Sequence, residues 1–221
     1  MIYRPDYMDA LKAFKDKPLV KILTGVRRCG KSTIFQMFKE ELIREGVSQD
    51  HIIEKRYTDM DIPESITAKQ MYEELVEAIG GKEHGYLLLD EIQEVPGWEK
   101  AINNLLEAGK ADIYITGSNS KLMSSEISTY LTGRYIQIPV FTLSYKEYLE
   151  FKKESDKSKT ELLEEYIRFG GFPIIALGEY ESQQAYQIVN GIYYTVVCRD
   201  IVKRHRINKQ DLFDRVSKYI N

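Results

Sequence analysis

One run of residues carries the plainest chemistry in the chain. Gly25, Val26, Arg27, Arg28, Cys29, Gly30, Lys31 and Ser32 fit the pattern GxxxxGK(S/T) in full, with Thr33 next in line. The glycines let a backbone wrap closely around a phosphate, and successive N–H groups at the start of a helix present positive charge to it. In that arrangement Lys31 reaches the β- and γ-phosphates and Ser32 ligates Mg²⁺. Arg27 and Arg28 either add charge beside the phosphates or are a solvated pair of loop arginines. Downstream, Tyr86, Leu87, Leu88 and Leu89 lead into two adjacent carboxylates, Asp90 and Glu91. Standing alone, that pair reads as a strand end and a helix cap. Paired with the glycine-rich loop, it supplies a Mg²⁺ ligand in Asp90 and a proton acceptor for an attacking water in Glu91. Thr116, Gly117, Ser118 and Asn119 close another apolar segment, and Ser118 or Asn119 there is either a phosphate sensor or a helix N-cap.

These residues work only if strands and helices deliver them to one place, and the chain alternates accordingly. An amphipathic run after Pro5 (Tyr7, Met8, Leu11, Phe14) predicts a short opening helix that ends before Pro18. Strands are expected at 19–24, 52–58, 86–90, 112–116 and 135–139. Helices are expected at 31–44, 68–79, after Pro96 and Gly97, and at 119–131. Strands alternating with helices imply a parallel sheet covered on both faces, and the C-terminal ends of its strands open into the crevice where such sheets bind ligands. The fold expected is therefore α/β: a P-loop NTPase with a five-stranded, mostly parallel sheet flanked by helices, followed by a helical segment. After Phe141 the pattern is helical only, at 145–151, 161–169 and about 183–202, with a polar, lysine-rich linker or turn at 152–159. The division expected is an ATPase domain over 1–145 and a helical region over 146–221.

The motifs together resemble a known group. The glycine-rich loop, the run Asp90-Glu91-Ile92-Gln93-Glu94-Val95-Pro96-Gly97-Trp98-Glu99, the run Ile115-Thr116-Gly117-Ser118-Asn119-Ser120 and the run Leu131-Thr132-Gly133-Arg134-Tyr135 are similar to those of prokaryotic AAA-type P-loop ATPases, whose members carry a C-terminal domain of unknown function. The resemblance implies ATP and Mg²⁺ as ligands, with Lys31 and Ser32 on phosphate and metal, Asp90 on metal and Glu91 as catalytic carboxylate. It also implies the Ser118/Asn119 pair as sensor and Arg134 as the arginine that stabilises the transferring phosphoryl group. For Arg134 the plain alternative is a strand-start arginine paired with a neighbouring carboxylate. The segment from Tyr166 to Pro173 and the run Cys198-Arg199-Asp200-Ile201 look like the junction with the second domain. Members of the group are longer, and this chain ends inside an apolar-periodic stretch (Leu212, Phe213, Val216, Tyr219, Ile220), so a truncated member is expected.

Composition narrows the partners. A net charge of −3 over 221 residues provides no global cationic field for nucleic acid. The cluster Arg199, Lys203, Arg204, His205, Arg206 and Lys209 reads as a solvated helix face or as a surface for phosphate backbone, and one charge run does not assign DNA as a partner. No apolar run is long enough to span a membrane, and two cysteines far apart in sequence, Cys29 and Cys198, fit a cytoplasmic protein. His51, His84 and His205 are scattered without zinc-site spacing. The leading expectation is ATP hydrolysis that drives or switches action on a macromolecule, in a chain that could form a homo-oligomer. A nucleotide sensor without turnover and a small-molecule kinase are the alternatives.

Overall fold

The computed structural model describes residues 2–63, 65–82, 84–118 and 130–196. Five strands, β1 (Val20–Gly25), β2 (Ile52–Arg56), β3 (Gly85–Asp90), β4 (Ala111–Ser118) and β5 (Tyr135–Pro139), form one sheet in the order β2-β3-β4-β1-β5. Every pairing in it is parallel, so all five C-terminal ends lie along one edge. Strand β4 separates β1 from β3, and that order decides what can meet at the site.

Alternation along the strands sorts side chains to two faces. Ile22, Leu87, Leu89, Ile113 and Ile115 pack with Met71, Leu75 and Ile79 of α3 (Ala68–Ile79) and with Trp98, Ile102 and Leu105 of α4 (Trp98–Ala108). Leu23, Tyr86, Leu88 and Tyr114 pack on the other face. There they meet Met8 and Leu11 of α1 (Pro5–Ala13) and Ile34, Phe35, Phe38 and Leu42 of α2 (Lys31–Arg44). A sheet buried on both faces needs continuous apolar strands, and Tyr86 to Leu89 supply one. The helix ends carry their own signals. A capping box between Thr67 and Gln70 starts α3, while α4 runs between Gly97 and Gly109, both left-handed.

One feature of the sheet contradicts its apolar pattern. Lys21 on β1 is fully buried, and its ammonium donates to Asp112 on β4 and, at 2.8 Å, to the carbonyl of Lys17. The Asp112 carboxylate also accepts from the Tyr114 hydroxyl at 2.6 Å and the Asp16 amide at 2.8 Å. Burial pulls the lysine below its ordinary pKa while the carboxylate pushes it back up. Both charges lie toward the N-terminal ends of their strands, away from the glycine-rich loop.

The chain divides into two compact units, Met1–Phe141 and Thr142–Asn221. The second is helical: α5 (Tyr145–Phe151), α6 (Lys159–Phe169), α7 (Pro173–Leu177) and α8 (Ser182–Thr195). Leu143, Tyr148, Leu162 and Ala176 form one small core, and Phe169, Ile175 and Ala185 another. Capping boxes at Ser144 with Glu147 and Ser158 with Glu161 start α5 and α6. The glycines before Pro173 have a structural reason. A Cβ on Gly171 would lie 2.1 Å from the Leu143 carbonyl oxygen, whose own amide donates to the Gly171 carbonyl at 2.6 Å. Helix α7 has only five residues, too short for periodicity to announce it. The helix expected at 119–131 falls almost wholly outside the described residues, as does the end of the one expected at 183–202. Among the described residues no helix is long and apolar enough to cross a membrane.

Candidate nucleotide site

The loop from Gly25 to Gly30 joins β1 to α2, and its backbone explains its glycines. A Cβ on Gly25 would stand 2.3 Å from the Val140 carbonyl oxygen and 2.8 Å from Cys29 Sγ, so no larger residue fits without moving the backbone. Gly30 is left-handed at φ 102°, and Arg28 at φ 66° takes the same region without being glycine. Cys29 is buried, and burial raises its thiol pKa despite Lys31 and Arg4 nearby. Arg4, itself buried, donates to the Cys29 carbonyl at 3.2 Å and to the Phe141 carbonyl at 3.2 Å, tying α1's entrance to the loop.

Helix α2 begins without the devices that start α3, α5 and α6. No side chain caps it, and its first turn holds no acidic residue. Its leading N–H groups and the positive end of its dipole therefore face the loop without a capping side chain or an acidic residue of the helix's own first turn. Lys31 Nζ donates to the carbonyls of Gly25 at 3.0 Å and Val26 at 3.3 Å, which holds it along the loop's inner edge. Arg27 Nε is buried without a hydrogen-bond partner. An orphaned cationic donor in a loop that leads into a helix N-terminus fits an anionic ligand.

The second half of the site comes from β3 and β4. Leu89 pairs with Ile115, which sets Asp90 level with Thr116, and alternation turns both toward the α2 face. Asp90 Oδ2 accepts from Ser32 Oγ at 2.6 Å, and Asp90 Oδ1 accepts from the Thr116 hydroxyl. Thr116 Oγ1 in turn accepts from the Glu91 amide at 3.1 Å. Glu91 is left-handed at φ 54°, which ends the strand abruptly, and its carboxylate accepts from the Gln93 side-chain amide. A serine hydroxyl beside an aspartate is a hard-oxygen donor set that suits Mg²⁺, because the hydroxyl can donate its hydrogen bond to the carboxylate and keep its lone pairs for the metal.

Lys31, Ser32, Asp90 and Glu91, with the loop residues Gly25, Val26, Arg27, Arg28, Cys29 and Gly30 and the adjoining Thr33, are thus brought to one edge of the sheet. Asn119 and the Ser118 side chain lie outside the described residues, as do Cys198, Arg199 and the basic cluster from Lys203 to Lys209. Arg134 is not brought to this site. It immediately precedes β5 at the opposite edge, where its carbonyl accepts from Val20 at 2.9 Å, and Val20 begins the strand that Gly25 ends. At ~3.3 Å per residue that strand separates the two by roughly 17 Å. Its guanidinium donates to Glu107 at 2.8 Å and Asn103 at 3.3 Å, holding the Glu107 carboxyl below its usual range. Within its own chain Arg134 is a strand-start arginine paired with a carboxylate. Two residues escaped sequence reading. Thr116 lay in a segment read for Ser118 and Asn119, and Arg56, whose Nε donates to Asp90 Oδ2 at 3.2 Å, carried no motif at all.

Residues 17–149, more than half of the chain, match the AAA domain family. The chain belongs to that family. This AAA domain is 32% identical over 224 residues to an uncharacterized protein of Haemophilus influenzae, an alignment covering 100% of this chain and 55% of that one. It is 36% identical over 205 residues to an uncharacterized protein of Methanocaldococcus jannaschii, covering 85% and 43%. The chain therefore spans about half the length of the curated relatives it matches. Among solved structures it resembles the Walker-type ATPase of Pyrococcus abyssi, with a TM-score of 0.62 at 16% identity over 95% of this chain and 77% of that one. It also resembles AMPPCP-bound DnaA from Aquifex aeolicus, at 0.51 and 13% identity over 97% and 67%. A third likeness is to the Aeropyrum pernix Orc1 protein in complex with DNA, at 0.52 and 11% over 89% and 67%. These likenesses establish a shared P-loop NTPase fold.

Proposed function

We propose that this AAA domain binds ATP with Mg²⁺ and hydrolyses it, with residues 1–145 as the ATPase domain and 146–221 as a helical region leading into a second domain. The observation that carries the reading is the chain of contacts from Ser32 through Asp90 and Thr116 to the Glu91 amide, which joins the phosphate loop to a second carboxylate. When bound, Mg²⁺ would neutralise charge on the phosphates. Ser32 and Asp90 are the residues that would hold it, and Lys31 would leave the Gly25 and Val26 carbonyls for the β- and γ-phosphates. Glu91 would accept the proton of the attacking water, its backbone being fixed by Thr116. Asn119 serves as the sensor in this reading. Adenine rather than guanine is favoured by the AMPPCP held in a protein of the same fold.

Turnover is expected to serve a macromolecular partner from a cytoplasmic location. DNA is the first partner to try, because a protein of the same fold was solved bound to it, although fold alone does not transfer a ligand. The deciding experiment measures MgATP binding by calorimetry and turnover with and without DNA. Wild-type protein should turn over ATP. Lys31→Ala should lose at least about tenfold in affinity, since it removes the point charge on the phosphates. Glu91→Gln should bind ATP within about threefold of wild type while turnover drops by about 10²-fold or more. Normal turnover in Glu91→Gln excludes it as the base, and wild-type binding without turnover favours the sensor reading instead.

A further inference from the structure

Arg56 ends β2 and pairs in register with Asp90 across the sheet. Its Nε donates at 3.2 Å to Asp90 Oδ2, the same oxygen that accepts from Ser32 Oγ at 2.6 Å. Asp90 is nearly buried, with a side chain 7% exposed, whereas that of Arg56 is 49% exposed. A second carboxylate is within reach of the guanidinium. Asp59, in the turn that follows β2, has Oδ1 3.9 Å from Arg56 Nη1 and is itself half exposed. The turn is fixed by the Asp59 amide donating to the Arg56 carbonyl at 3.1 Å. Arg56 thus has one buried anionic partner and one exposed, both compatible with the same backbone.

We propose that Arg56 is a positioning residue that competes with Mg²⁺ for Asp90 Oδ2 and exchanges to Asp59 when the metal enters, so that the end of β2 reports metal occupancy to the connection leading to α3. The inference rests on the Mg²⁺ site proposed above. Mg²⁺ dehydrates reluctantly and takes carboxylates directly or through its waters, so it draws on the oxygen that Arg56 occupies. A divalent cation beside a guanidinium repels it, and because the Arg56 side chain is half exposed that repulsion is screened by salt. Asp59 lowers the cost of departure by offering a replacement anion that solvent alone would not.

The test titrates Mg²⁺ into protein with a fluorescent ADP analogue and reads the half-saturating Mg²⁺ concentration. Arg56→Gln should lower it by about three- to tenfold at low salt, with the difference shrinking as salt rises. Arg56→Lys, which keeps the charge, should stay near wild type. Asp59→Asn should raise the half-saturating concentration by about two- to threefold, and that effect should largely vanish in the Arg56→Gln background, because the coupling runs through the guanidinium. In EDTA, the affinity of wild type and Arg56→Gln for the ADP analogue should agree within about twofold. Equal effects of Asp59→Asn in both backgrounds overturn the exchange, as does an unshifted Mg²⁺ midpoint in Arg56→Gln. An EDTA affinity that changes as much as the Mg²⁺ midpoint places Arg56 on the nucleotide instead and overturns the competition. If wild type binds the analogue with no Mg²⁺ dependence, the metal site itself is wrong and the inference falls with it, an outcome distinguishable because no variant is needed to see it.

Discussion

Thr116 shows how one hydroxyl can couple two functional carboxylates. It is fully buried, donates a hydrogen bond to Asp90 and accepts one from the Glu91 amide, so both its donor and acceptor capacity are used at the site. Thr116→Val keeps the shape and leaves Asp90 Oδ1 and the Glu91 amide short of a partner, each costing about 1–3 kcal/mol if buried. Turnover is therefore expected to drop about 10- to 100-fold while ADP affinity stays within about threefold, and Thr116→Ser should recover most of the loss. Steady-state kinetics with parallel calorimetry checks this. Equal losses in affinity and turnover would mean that Thr116 only supports the fold.

At the scale of elements, the sheet carries a charged pair where its pattern calls for apolar residues. Removing one partner of a buried pair leaves an uncompensated charge and costs about 3–5 kcal/mol, whereas replacing both with apolar residues costs far less. Asp112→Ala should therefore destabilise the protein by about that much in urea unfolding followed through Trp98, which is buried in the α4 core. Lys21→Met with Asp112→Leu should return most of the stability, short of full recovery because the Asp16 amide and Tyr114 hydroxyl lose their acceptor. If the double variant is as unstable as the single one, the pair is stabilising in its own right rather than merely balanced.

At the scale of the whole molecule, the open question is assembly. Arg134 stands at the edge of the sheet opposite its own phosphate loop, which makes a neighbouring copy the place to look for a contact with nucleotide. Arginines supplied across an interface can be worth ~10³–10⁵ in rate in GTPases. If Arg134 acts in that way, specific activity rises with protein concentration, and a mixture of Arg134→Ala and Glu91→Gln chains recovers activity that neither has alone. Activity independent of concentration, with no recovery in the mixture, assigns Arg134 to its pair with Glu107 alone. Because the chain spans about half of the relatives it matches, the same mixture is best repeated in a full-length relative.

What was legible in the sequence was whatever depends on local order. The glycine-rich loop, the strand from Tyr86 to Asp90 and the helices at 31–44 and 68–79 follow from spacing and periodicity, because backbone geometry is decided by neighbours in the chain. Lys31, Ser32, Asp90 and Glu91 could be named from their motifs for the same reason. Tertiary structure alone decided the rest. The order of the strands put β4 between the loop and the carboxylates and made Thr116 their link. The register of β2 against β3 set Arg56 on Asp90, and Arg134 was carried to the far edge by the direction of β5. A side chain's partner across a sheet is chosen by strand order and register, and neither is written in the residues immediately around it.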